Sequence, residues 1–202
     1  MKYIKNPDST YPSAVSWIKA FPKKFFLEPK QRQLIRMMVI PNEDLSPGTY
    51  WARIVTSASP TSTTTDTLKQ GISAKIKFVL NQITTLLYRV GENESKAELT
   101  NSFVKEDSSG VSVFAGIKRE GNSPFLGDVI VSVLNDSEKV ITDKTEKVSI
   151  YYNLTKRFNF KDLKPGSYTA EIKVIHNEKE DIPQSNIKLA EPIIRRLPFK
   201  VN

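Results

Sequence analysis

Apolar side chains fall at alternate positions along most of this chain, and that period sets the class of fold it can adopt. Successive side chains of a strand point to opposite faces, whereas a helix would repeat its apolar face every 3.6 residues. Ala74-Lys75-Ile76-Lys77-Phe78 is one such alternation. Runs rich in Val, Ile, Phe, Tyr and Thr, bounded by clusters of Gly, Pro, Asn, Asp and Ser, predict strands. In the first half these are Ala14–Lys19, Lys24–Leu27, Gln33–Ile40, Thr49–Thr56 and a long stretch from Ile72 to Tyr88. The second half gives Ala97–Val104, Val111–Arg119, Asp128–Asn135, Lys139–Thr142, Lys147–Tyr152, Arg157–Phe160, Ser167–Ile175 and Ile193–Val201. No helix-period segment is long enough to cross over between parallel strands, so an all-β fold of antiparallel sheets is expected. The Ser/Thr-rich stretch Thr56–Thr67 has almost no apolar anchor and reads as a long loop.

An internal repeat divides the chain. Leu45-Ser46-Pro47-Gly48-Thr49-Tyr50-Trp51-Ala52-Arg53-Ile54 matches Leu163-Lys164-Pro165-Gly166-Ser167-Tyr168-Thr169-Ala170-Glu171-Ile172 at six of ten positions. Pro-Gly makes a turn, and the tyrosine after it opens a strand. Such a tyrosine suits the corner of an immunoglobulin-like sandwich, where the phenol reaches back to upstream backbone, so Tyr50 and Tyr168 are expected at equivalent corners. The expected architecture is two tandem immunoglobulin-like β-sandwich domains, residues 1–91 and 92–202, joined through the polar stretch Gly91-Glu92-Asn93-Glu94-Ser95.

Composition narrows the chemistry. The 202 residues include no cysteine and one histidine, which removes disulfides, thiolate nucleophiles and metal sites built on thiolate or imidazole pairs. His176, beside Asn177-Glu178-Lys179, reads as a surface residue, and no G-x-S-x-G elbow accompanies it. Phosphate-cradling glycine motifs and calcium loops are absent. Glu106-Asp107 and Glu180-Asp181 fall in predicted turns, where solvated acids belong. Trp17 and Trp51 read as core residues of strands. The net charge of +8 comes from basic residues interleaved with acids or alternating along strands, not from a polybasic tract, which argues against nucleic acid. No window is apolar enough for a transmembrane helix. The expectation is a non-enzymatic protein with no catalytic residues, metal or cofactor.

The first half resembles a family. Phe26-Leu27-Glu28-Pro29-Lys30-Gln31-Arg32-Gln33-Leu34-Ile35-Arg36 is similar to the L-x-P-G-x-x-Q-x-[IV]-R stretch in the amino-terminal domain of periplasmic pilus-assembly chaperones (PapD-like). Gly48–Ile54, running on to Pro60, resembles the following strand of that family, and Leu86-Leu87-Tyr88-Arg89 resembles the end of the domain's last strand. The resemblance implies a periplasmic or extracellular protein that binds another envelope polypeptide, such as a pilus or surface-fibre subunit. Binding would be by β-strand addition through Ile72, Ala74, Ile76, Phe78 and Leu80. The same side chains could instead line the domain's own core. Thr85 and Val90 stand where the family has Lys and Pro, so a divergent member is implied. The family's first two strands would precede residue 1, which predicts an incomplete first sandwich. The gap would be filled by a second copy in a strand-paired or swapped homodimer, by the 72–88 strand, or by upstream residues. The competing reading is a structural or adhesin-like protein that binds carbohydrate or protein through loops.

Overall fold

The computed structural model describes residues 12–60, 78–107, 110–177 and 187–201. The chain is all-β, and it divides into two compact units: residues 1–44 with 50–88, and residues 45–49 with 89–202.

Strands of the second unit follow the alternation closely. They are β5 (Asn93–Ser95), β6 (Ala97–Asp107), β7 (Gly110–Arg119), β8 (Phe125–Asn135), β9 (Val140–Ile150), β10 (Asn153–Phe160), β11 (Gly166–His176), β12 (Ile187–Leu189) and β13 (Ile193–Val201). One sheet has the order β13-β11-β8-β9 and another β10-β7-β6, both antiparallel. In β8 and β11 the register sets Val129, Val131 and Val133 opposite Val174, Ile172 and Ala170, all essentially solvent-free. From the other sheet Leu99, Val113, Ala115, Ile117, Phe158 and Phe160 complete the same core, making a sandwich. Each such aliphatic side chain stabilises the fold by about 1.5–3 kcal/mol relative to exposure. A bulge in β6 between Leu99 and Ser102 interrupts pairing with β7. The Leu99 and Thr100 carbonyls there accept hydrogen bonds from Arg195 of β13, the first at 2.6 Å, which ties the edges of the two sheets together.

Four strands form the described part of the first unit. After a single 3-10 turn at Val15–Trp17 come β1 (Ile18–Phe21), β2 (Arg36–Val39), β3 (Gly48–Ala58) and β4 (Leu80–Val90). β3 begins and β4 ends with residues assigned to the second unit. Among the described residues they make two separate two-stranded sheets, β1-β2 and β3-β4. Trp17 is buried with its ring 4.9 Å from Tyr50 and 5.8 Å from Tyr88. Backbone bonds from Ala14 N to Trp51 O and from Trp51 N to Pro12 O lay the entering chain alongside β3.

Several expectations need correction. Not every pairing is antiparallel: β12 and β5 are parallel, as is an isolated bridge between Ser13 and Trp51. Lys24–Leu27 forms no strand; Pro22 and Pro29 flank it and interrupt ladder pairing. The two segments expected at Lys139–Thr142 and Lys147–Tyr152 are one strand, β9, whose polar middle lies at a sheet edge. Gly91–Ser95, expected as a polar linker, includes the short strand β5, with Gly91, Glu92 and Glu94 exposed. Asn93 and Ser95 are buried, and Asn93 Oδ1 accepts from Thr49 Oγ1 at 2.9 Å and Ser123 Oγ at 3.0 Å. Its Nδ2 donates to the Gly91 carbonyl at 2.8 Å, and Ser95 Oγ donates to that of Pro124 at 3.1 Å. This buried polar knot recruits residues 45–49 into the second unit, with Thr49 N donating to the Asn122 carbonyl at 3.0 Å.

Candidate partner-binding surface

The β1-β2 sheet pairs Ile18 with Val39, Lys19 with Met38, Ala20 with Met37 and Phe21 with Arg36. Residues directly opposite share a face, so Lys19, Phe21, Arg36 and Met38 lie together. All four are exposed, Phe21 at 76%. The other face holds Ile18, Ala20 and Val39, which are partly covered, and Met37, which is exposed. This sheet therefore presents a checkerboard of two apolar and two cationic side chains, with each cation diagonal to the other.

The β3-β4 ribbon changes character along its length. Near Tyr50 and Tyr88 it packs against Trp17, whereas Val55–Ala58 and Leu80–Thr85 are exposed on both faces. Ser57 Oγ donates to Asn81 Oδ1 at 2.6 Å and holds the exposed arms together. A two-stranded ribbon wet on both faces has little to stabilise it beyond its own ladder.

Of the residues expected to bind a partner, Phe78 is 74% exposed and Leu80 is 72% exposed and opens β4. The core-lining alternative does not hold for these two. Ile72, Ala74 and Ile76 lie outside the described residues. Other exposed apolar groups of the first unit, not singled out from the sequence, are chiefly Phe21, Phe26, Leu34 and Met38. Thirteen of the nineteen large exposed apolar side chains among the described residues belong to the first unit, so apolar exposure is concentrated there.

Charge is divided as unevenly. Residues 1–44 and 50–88 carry twelve Lys and Arg against five Asp and Glu, a net +7 of the chain's +8. β1, β2, β3 and β4 hold Lys19, Arg36, Arg53 and Arg89 and no acid. Among the described residues, neither Lys19 nor Arg36 has an acidic partner.

The repeated tyrosines occupy similar local frames. Gly48 and Gly166 share an unusual backbone, φ +148 and +157, that favours glycine, and each opens an eleven-residue strand. Tyr168 Oη donates to the Lys164 carbonyl at 2.9 Å, four residues upstream, and its ring stacks 5.7 Å from Phe199. Tyr50 sits in the other unit against Trp17.

In the second unit His176, weighed above for chemistry, is held by structural contacts. His176 is not a surface residue but the partly buried last residue of β11. Its ring lies 4.3 Å from Phe125 with Nε2 3.1 Å from the Ser95 carbonyl, and burial pushes its pKa below the ordinary value. On the outer face of β10-β7-β6, Phe103 stacks on Phe114 at 4.6 Å and the Arg157 guanidinium covers Phe114, with Arg157 Nη2 donating to Ser112 Oγ at 2.9 Å. Among the described residues no group of three or more His, Cys, Asp and Glu could hold a metal ion, and no helix is long and apolar enough to cross a membrane. No protein-family model, curated protein or solved structure matches the chain.

Proposed function

We propose that this is a non-enzymatic protein that binds another polypeptide by β-strand addition to its first unit, with the closed second unit as a stable support. The observation that carries the reading is the pairing of sheets that have only two strands among the described residues with exposed apolar side chains at Phe21, Met38, Phe78 and Leu80. Strand addition takes affinity from main-chain hydrogen bonds and specificity from alternate side chains, and both are on offer here. The segment from 72 to 88 is part of the same proposed surface.

The resemblance to periplasmic pilus-assembly chaperones supports this reading, and a cell-envelope location with an envelope subunit as partner is part of the proposal. Two immunoglobulin-like units are part of the proposal, supported by the matched Gly48 and Gly166 turns. A neutral probe tests strand addition. It is a peptide of about ten residues with Ser at odd positions and Gln and Val alternating at even ones, matched to the period-two face of a strand. Hydrogen exchange should slow at β1, β2 or the Leu80–Thr85 arm and stay unchanged in β8 and β11. No protection in the first unit at millimolar peptide would contradict the proposal.

A further inference from the structure

We propose that the segment taken up by the first unit is acidic: an extended polypeptide carrying a carboxylate and an apolar side chain two residues apart on one face. This rests on the strand-addition reading and deepens it by naming the chemistry of the partner.

The argument starts at the exposed face of the β1-β2 sheet. Along β1 it shows Lys19 and then Phe21; along β2 it shows Arg36 and then Met38. A strand added at either edge would set its own alternate side chains beside one of these cation–apolar pairs. Both edges therefore ask for the same thing, an acid and an apolar group at i and i+2. The requirement does not depend on which edge is used, because the checkerboard reads alike from both sides.

Charge decides among the possible occupants. Pairing these four strands between two copies would bring only cations together, since they hold no acid. Like charges across a ladder destabilise it, and Lys on an edge strand is a common guard against self-pairing. The net +7 on the unit opposes a second copy at longer range and steers an acidic chain toward it. A basic and apolar surface would also suit an anionic lipid surface. Edges left unpaired among the described residues favour a polypeptide, because an added strand can satisfy their rows of N–H and C=O groups.

The test uses the full chain and three peptides that differ only at the charged positions: Ser at odd sites, with Val alternating with Glu, Gln or Lys at even sites. The Glu peptide should bind up to about fivefold more tightly than the Gln peptide, as expected for one cross-strand charge pair at either edge, and the Lys peptide more weakly than either. The preference should shrink as salt rises. In Lys19→Glu/Arg36→Glu the order should invert, and in Lys19→Gln/Arg36→Gln it should vanish, with the melting of the second unit unchanged in both. Equal binding of all three peptides would overturn the acidic partner while leaving strand addition intact. Binding of none would remove strand addition itself. Two further results would overturn the proposal: a dimer in sedimentation that Met38→Asp dissolves, or capture by phosphatidylserine vesicles that the Glu peptide cannot displace.

Discussion

The two units of this chain solve the same problem with opposite success. In the second, seven strands in two sheets bury sixteen apolar residues in one cluster among the described residues. In the first, Trp17 is the one large apolar side chain buried, joined by Ala14 and Ala52, among the described residues. The difference is not one of apolar residue types alone, since both units carry many Val, Ile, Leu and Phe. It lies in how many strands share a face. A four-stranded sheet over a three-stranded one covers its apolar side chains; a pair of two-stranded sheets leaves them wet. A unit of the second kind gains most from another strand, which is the physical root of the binding proposal.

The comparison can be broken most forcefully in the core. Val131→Asp should abolish folding of the second unit, because a carboxylate would be buried without a partner, and Ile172→Ala should cost about 2–5 kcal/mol in denaturant melts. Phe21→Ser and Phe78→Asp, at exposed sites, should stay within about 0.5 kcal/mol while weakening peptide binding. If Phe78→Asp destabilised the protein as much as Ile172→Ala, the exposed surface of the first unit would be a core after all.

Next in size is the buried polar knot. Asn93→Ala would remove the acceptor shared by the Thr49 and Ser123 hydroxyls, leaving them only each other, and the donor to the Gly91 carbonyl, and should cost about 1–3 kcal/mol by equilibrium unfolding. In the first unit, Lys30 sits in the left-handed region at φ +69 inside the turn where Gln31 N donates to the Glu28 carbonyl. Lys30→Gly should therefore stabilise that turn, by about 1 kcal/mol at most, seen as slower exchange of the Gln31 amide. The smallest effect is set by pH. Because burial holds the His176 pKa below its unfolded value, the neutral ring stabilises the fold above that unfolded value. The contribution is lost as pH falls through the folded pKa. Acidification from pH 7 to 5 should lower the melting temperature of the second unit, and less so in His176→Gln.

Much of the second unit is legible in the sequence because its strands alternate over ten or more residues, as β8 and β11 do. What is not legible depends on distant partners. Asn93-Glu94-Ser95 looks like a solvated linker until Thr49, 44 residues away, and Ser123 are placed beside it. β12 is too short to carry a period and pairs in parallel with β5. The candidate surface is half readable: Phe78 and Leu80 stand out by alternation and by family resemblance. Lys19, Phe21, Arg36 and Met38 do not, since Ile18-Lys19-Ala20-Phe21 and Arg36-Met37-Met38-Val39 are four-residue strands whose shared face appears only with their register.

The central claim is that one unit is closed and the other awaits a strand, and amide hydrogen exchange on the intact chain tests it most directly. Free protein should exchange slowest at β8 and β11 and fastest at β1, β2 and the Leu80–Thr85 arm, and the Glu–Val peptide should slow the first unit alone. Equal protection of both units in the free protein, unchanged by the peptide, would contradict the account.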